Sequence, residues 1–427
     1  MKSIAKEGIK YIGALIASIL LGTILLIAVY SLPVEPMKAN AQRSTEIYDY
    51  EGVYPQLMWG YKMSQLDNST DATMLLNAIY PGGGSVISRA MNVYRTEYHD
   101  VTPVKSLTHL ANDVKEETYN IGYSRYWHGY LVILKPLLLF FDVADIRMIN
   151  MFLNFSLLGY ILYLLIKQQK KGYILPFFTA VMLLNPIAVS LSFQFSTIYY
   201  IMLFSVIYVL KKGKMERKAA MLFLFVVGIL TAYIDFLTYP LVALYFPLVF
   251  ILAGEDDWKE AVKTMIFCSA AWGFGYILMW CGKWTIGSIL MQRNMWEDAL
   301  SRAALYGSMD YGEEKLGSVQ VILKNVFVLV KWPVVFAGLG ILIYYIRQFA
   351  KAFGRKAEGK ANKSKNVKSF LAGLCPFALV ALVPFAWYVA AGSHSYIHYW
   401  YTYRELCVSV FAILAGFAKL LSLRGEE

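Results

Sequence analysis

Apolar residues run in long, nearly unbroken stretches from one end of the chain to the other, separated by short polar connections. Runs of about twenty apolar residues match the thickness of a hydrocarbon core. No water reaches the backbone there, so each spanning segment has to satisfy its own N–H and C=O groups, as a helix does. Strands of a membrane barrel would alternate apolar and polar positions instead. The pattern predicts an all-α polytopic bundle of about ten spans, at 11–30, 146–166, 173–189, 197–210, 219–234, 237–253, 261–281, 321–346, 370–391 and 405–421. A further apolar stretch at 130–141 is too short to cross and reads as an interfacial or re-entrant helix.

Charge orients these spans. The basic loops at 167–171, 211–218 and 347–368 fall on one side together with Lys2, Lys6 and Lys10, which the positive-inside rule makes cytoplasmic, with both termini. The loop at 254–260 is acidic and dissents, but acidic residues weigh little in that rule. The segment 31–145 then forms a large extracytoplasmic loop with interfacial helices. A second sizeable one lies at 282–320, and all five histidines lie outside. The tract 354–365 reads as a flexible, solvated basic linker.

Composition agrees: 58% of residues are hydrophobic and only 16% charged, which excludes a soluble domain. The net charge of +11 sits in short loops between apolar runs, so it serves topology and gives no reason to expect nucleic acid. Cys268, Cys281, Cys375 and Cys407 lie in or beside apolar runs without paired spacing, and suggest neither a disulfide framework nor a zinc site. The N-terminal apolar run is longer than a signal-peptide core and lacks a small-x-small site, so it is expected to stay as the first span.

Four groups of residues carry candidate chemistry. In Gln65-Leu-Asp-Asn-Ser-Thr-Asp71 two carboxylates stand at an apparent helix start. The plain reading is a cap, with Asn68 as the N-cap and Asp71 in the first turn. The chemical reading is a general base, Asp67 or Asp71, whose partial withdrawal from water raises its proton affinity; Asp49 and Glu51 compete for the role. In Tyr123-Ser-Arg-Tyr-Trp-His-Gly-Tyr130 and the residues after it, Arg125, His128 and Lys135 alternate with aromatics and suit a phosphate. An aromatic belt with snorkelling cations is the alternative.

The third group, Gly392-Ser-His-Ser-Tyr-Ile-His-Tyr-Trp-Tyr-Thr-Tyr-Arg-Glu405, brings His394, His398 and Arg404 to the start of the last span. Two histidines four apart share a helical face but lack a third metal ligand nearby in sequence. A buried Arg404 needs a partner, which a phosphate would supply. The fourth is Asp235, an acid where two spans meet outside, placed to orient substrate or Arg404 or simply to reach water.

A first span, a long outer loop with acids and an aromatic-cationic interfacial helix, and then many closely connected spans resemble the membrane glycosyltransferases of the GT-C class. The segments around Arg125, Asp235 and His394 to Arg404 are also similar to those of bacterial multi-span proteins of this kind. The resemblance implies a bacterial plasma-membrane enzyme of cell-envelope polysaccharide biosynthesis. It also implies a polyprenyl-phosphate-linked sugar donor, a glycan, lipid or protein acceptor, and inverting transfer on the extracytoplasmic face. The base would be Asp67 or Asp71, with Arg125, His128, Lys135, Asp235, His394, His398 and Arg404 binding substrate among the membrane lipids. A clean Asp-x-Asp is lacking, so dependence on a divalent metal stays open. Three other readings compete: a lipid or solute transporter or flippase, which predicts ionisable residues near mid-span, a polysaccharide polymerase or ligase, which makes the loop at 282–320 the feature to inspect, and a non-catalytic assembly or scaffold protein.

Overall fold

The computed structural model of the chain describes residues 2–354 and 363–422. Much of the basic linker at 347–368 and the side chains of Lys2 and Lys6 lie outside the described residues.

The architecture is all-α with two short two-stranded sheets. Helix α1 (Lys2–Tyr30) is followed by α2 (Val34–Glu51), α3 (Asn68–Ala78), α4 (Val86–Asn92) and α5 (Pro103–Ala111). Asp67, Ser85 and Thr102 cap the last three, each accepting the backbone N–H three residues on. Strand β1 (Arg95–Tyr98) pairs antiparallel with β2 (Thr118–Ile121) around α5. The short α6 (Leu131–Leu138) leads into α7 (Val143–Lys167), which Asp142 caps. Helices α8 (Ile174–Leu184), α9 (Pro186–Leu191), α10 (Phe193–Lys212), α11 (Arg217–Ile234), α12 (Leu241–Ala253) and α13 (Trp258–Met291) then follow with short connections. The last third contains α14 (Trp296–Gly307), α15 (Ser318–Leu329), α16 (Trp332–Gly354), α17 (Lys363–Ala390), α18 (Gly392–Ile397), α19 (Tyr399–Thr402) and α20 (Leu406–Ser422), with the small hairpin β3 (Asp310–Tyr311) and β4 (Glu314–Lys315) after α14.

Among the described residues eight helices are long and apolar enough to cross a membrane: α1, α7, α10, α11, α13, α16, α17 and the run Tyr399–Ser422. Their middles are largely apolar, and polar exceptions such as Asn150 and Asn154 of α7 turn inward, where they donate to Ser190 O and Pro186 O. The closest packing joins α11 to α13. A Cβ on Gly228 would collide with the carbonyl oxygen of Trp272, and one on Gly275 with that of Phe225. Two missing side chains therefore let the backbones touch, the usual device where lipid removes the hydrophobic drive between helices.

The acidic loop that departs from the charge pattern lies against a basic one. Lys214 pairs with Asp256 at 3.5 Å, Arg217 with Glu260, and Lys419 reaches the carbonyl oxygens of Leu252 and Glu255. Loops 211–218 and 254–260 thus share one end of the bundle.

Several expected boundaries shift, each for a local reason. The segment 173–189 is not one helix, because Asn185 takes a left-handed conformation (φ 60°) and Pro186 has no N–H to continue α8. The segment 237–253 becomes helical only at Leu241, since the Asp235 carboxylate accepts the Thr238 N–H at 2.9 Å and holds a turn there. The segment 321–346 breaks between α15 and α16, where Pro333 opens a new first turn. The loop expected from residue 282 begins only after Met291. Helix α13 extends that far because the 31–145 segment takes up its polar groups: Lys283 donates to Met91 O at 3.0 Å and Trp284 Nε1 to Arg125 O at 2.8 Å.

Candidate functional site

The two carboxylates at the start of α3 have different surroundings. Asp67, not Asn68, is the N-cap, accepting the Thr70 N–H at 3.0 Å. Asn68 instead reaches back to Glu51 Oε2 (2.9 Å) and Gly52 O (2.8 Å). Glu51 is also gripped by Arg147 through two bonds of 2.7 and 3.0 Å, and Asp49 accepts the Thr108 hydroxyl on the surface, so neither competitor is free.

Asp71 is buried and accepts the backbone N–H groups of Phe193 and Gln194, each at 3.0 Å, with the Ser192 hydroxyl at 3.3 Å. Those N–H groups open α10, and Ser192, its N-cap, supplies no side-chain bond. Asp71 therefore caps α10 from outside the helix. Burial raises it to about 7, opposed by those bonds and by Arg147.

Asp67 is 3% exposed and forms no ion pair among the described residues. Burial pushes it up to about 6, against the Thr70 bonds and the approach of Trp400, which favour the ionised form. Among the described residues the Trp400 indole N–H lies near Asp67 without closing a hydrogen bond of good geometry. Asp67 thus brings the 31–145 segment against the far end of the chain. The ring of Tyr54, itself 47% exposed, meets Trp400 edge-on at 5.7 Å, on the side open to solvent.

The terminal segment supplies further open polar atoms. His394 Nε2 donates to Leu237 O at 2.8 Å, because a carbonyl can only accept, and its Nδ1 lone pair is left without a partner. His398 lies 4.8 Å from His394, stacks on Tyr401 at 5.1 Å and also has an unpartnered Nδ1. Burial lowers His394 to about 4 and His398 to about 3, so both rings are neutral acceptors at neutral pH. Tyr306 packs on His394 at 5.0 Å, and Asn325 holds the segment through Ser395 O and the Thr402 hydroxyl. Sequence reasoning missed both; each is one polar residue in an ordinary amphipathic helix, and only the fold brings it here.

Arg404 is fully buried. Its Nε donates to Leu184 O at 3.0 Å, at the C-terminal end of α8 where carbonyls are unspent, and its guanidinium lies 4.1 Å over Phe195. Both terminal nitrogens lack partners. Glu405 spends Oε1 on the Leu241 N–H at 3.3 Å and leaves Oε2 unpartnered. Asp235 forms no ion pair with Arg404 among the described residues; burial raises it to about 6 despite its Thr238 bonds, and its charge acts on Tyr401 and Glu405.

The expected phosphate trio does not converge. Arg125 turns to Asp298 (3.4 Å) and stacks on Tyr123 at 4.5 Å. His128, at a left-handed φ of 55°, donates Nε2–H to Tyr123 O at 2.8 Å, and burial holds it well below its ordinary value, so it is not a cation. Lys135 points elsewhere, to Ala78 O at 2.6 Å. Arg125 and His128 lie in the irregular turn before α6 starts at Leu131, with His128 in a left-handed conformation, and Lys135 alone of the three is on the helix, so the motif holds no common face. Among the described residues no three His, Cys, Asp or Glu side chains gather as a metal would need.

Beside this region runs an apolar groove of about 370 Å³ between α6, α7, α10 and α11, lined among others by Tyr130, Leu134, Asn150 and Phe193. Phe193 links it to the acids, since its N–H is held by Asp71. No protein-family model matches this chain, and neither does any curated protein or solved structure.

Proposed function

We propose that this chain is a polytopic membrane glycosyltransferase of the GT-C kind, moving a sugar from a polyprenyl-phosphate donor to an acceptor hydroxyl on the extracytoplasmic face with inversion. One observation carries the reading: Asp67, a buried carboxylate without a counter-cation among the described residues, meets Trp400 of a terminal segment in which the Nδ1 atoms of His394 and His398 are buried without partners. Sugars need such a mixture of donors and acceptors beside aromatic faces. The long apolar groove suits an isoprenoid chain, as lipid-sized sites are mostly apolar with few polar groups.

In this reading Asp67 takes the proton of the acceptor hydroxyl. That oxygen attacks the anomeric carbon from the face opposite the phosphate, and the carbon–oxygen bond to phosphate breaks. Negative charge then grows on the leaving phosphate, and the unspent nitrogens of Arg404 are the preorganised donors for it. Asp71 is a positioning residue that fixes α10 relative to α3.

The topology goes with this proposal. The interrupted pair α8–α9 and the short α12 complete ten crossings beside the eight long helices. The termini and the loops 211–218 and 254–260 are cytoplasmic, and Asp67, Asp235 and 394–404 lie outside. The unpartnered Oε2 of Glu405 is what favours the transporter alternative, because a buried acid in a long apolar helix usually serves transport.

The test is transfer of labelled sugar from a panel of polyprenyl-phosphate sugars by the purified protein in lipid. Transfer abolished by Asp67→Asn supports the reading. Vesicle transport of a lipid or solute without sugar transfer replaces it.

A further inference from the structure

Away from Asp67, two cations face each other without an acid. Lys135, on α6, is 2% exposed; one of its three donors goes to Ala78 O at 2.6 Å, and its ammonium lies 4.9 Å over the ring of Tyr30. Arg89, on α4, is half-buried, and its Nε is buried without a partner. It is near enough for its charge to act on both Lys135 and Tyr30. The Tyr30 hydroxyl is buried and also unpartnered. Among the described residues no carboxylate pairs with either cation; Tyr80 lies near Arg89, and Tyr130 near Tyr30. Apart from the Lys135 bond to Ala78 O, donors from three helices therefore lie close together with no acceptor among the described residues, an arrangement that an anion with several oxygens completes.

We propose that Arg89, Lys135 and Tyr30 bind the phosphate of an anionic lipid headgroup. The depth argues for a lipid: Tyr30 ends the first long apolar helix, where hydrocarbon gives way to headgroups and aromatic rings concentrate. The site is distinct from the candidate active site. Ala78 and Asp67 stand at opposite ends of α3, roughly 16 Å apart at about 1.5 Å per residue. Lys135 also projects from the face of α6 opposite Ile133, Leu134 and Leu137, which line the apolar groove. Burial and the Arg89 charge lower Lys135 to about 7, and a bound phosphate favours its ammonium form.

The experiment is thermal unfolding and native mass spectrometry of the purified full chain in neutral detergent, with phosphatidylglycerol, phosphatidylcholine or inorganic phosphate added. Phosphatidylglycerol is expected to raise the unfolding temperature more than phosphatidylcholine and to stay bound in the spectrometer. Arg89→Gln, a half-buried change that should fold, is expected to weaken that binding roughly tenfold, Arg89→Lys to recover part of it, and Lys135→Met to abolish the difference between the two lipids. An equal response to inorganic phosphate alone overturns the lipid assignment and leaves a soluble phosphate as the ligand. No preference for the anionic lipid in wild type, or an undiminished preference in Arg89→Gln and Lys135→Met, overturns the site.

Discussion

The Asp71 carboxylate accepts the backbone N–H of Gln194 at 3.0 Å across 123 residues of sequence, while Asp67, one turn earlier, caps its own helix through the Thr70 N–H. The pair therefore separates structure from chemistry. Asp71→Asn puts an amide N–H where α10 presents its own N–H groups, and loss of these bonds costs about 1–3 kcal/mol. The folded yield and unfolding temperature should drop, with activity per folded molecule largely kept. Asp67→Asn preserves the cap, since Asn caps as well as Asp, and is expected to lower transfer by about 10²–10⁴-fold. Parallel unfolding and transfer assays on both variants check the division; equal losses of activity would refute it.

A pH profile follows from burial. Asp67 rises from 3.8 to about 6 on folding. Between those values the folded protein holds a proton that the unfolded chain has released, so stability from this group falls as pH rises and is lowest above about 6. The penalty there is roughly 3 kcal/mol. Asp71, raised to about 7, acts with the same sign. Asp67→Asn should thus unfold at higher temperature than wild type at pH 8 but not at pH 4. Transfer by wild type should increase through pH 6, as the carboxylate forms.

Arg404 is a buried cation with two unspent nitrogens. Arg404→Met removes that charge at similar length, and replacing buried charges by apolar groups is often neutral or stabilising. The expected outcome is an unfolding temperature at or above that of wild type with transfer reduced at least about 100-fold, the effect of removing one charge-stabilising donor. A variant that transfers normally would remove Arg404 from the mechanism.

Packing of α11 on α13 makes a prediction without chemistry. Gly228→Ala or Gly275→Ala drives a methyl into the facing carbonyl oxygen, whereas Gly159→Ala meets nothing within 4 Å. The first two should cost about 1–3 kcal/mol and the third nothing measurable. Fluorescence-monitored unfolding in detergent distinguishes them.

The helical class and the eight long apolar helices were legible because hydrocarbon imposes one rule on every residue of a span. Breaks inside apolar runs were less so: the apolar pattern across Asn185 and Pro186 continues while the backbone turns. In the site, Asp67 and the 394–404 segment could be named from residue type, but their meeting depends on long-range packing that no local pattern encodes. Arg125, His128 and Lys135 were grouped by closeness in sequence, but the chain turns irregularly through 124–130 before α6 begins, and the three reach different neighbours. Tyr306 and Asn325 gave no signal, being unremarkable alone.

The interruption at Asn185 also sets an order of events. The carbonyls of Leu183 and Leu184 enter an apolar surrounding early in synthesis, but the Tyr403 hydroxyl and the Arg404 guanidinium that receive them are made 220 residues later. Until the ribosome has delivered that far end, an early part of the bundle carries open backbone acceptors that lipid cannot satisfy. The last-made segment is thus the latch of one of the first, and a nascent chain halted before Tyr403 leaves that region unclosed.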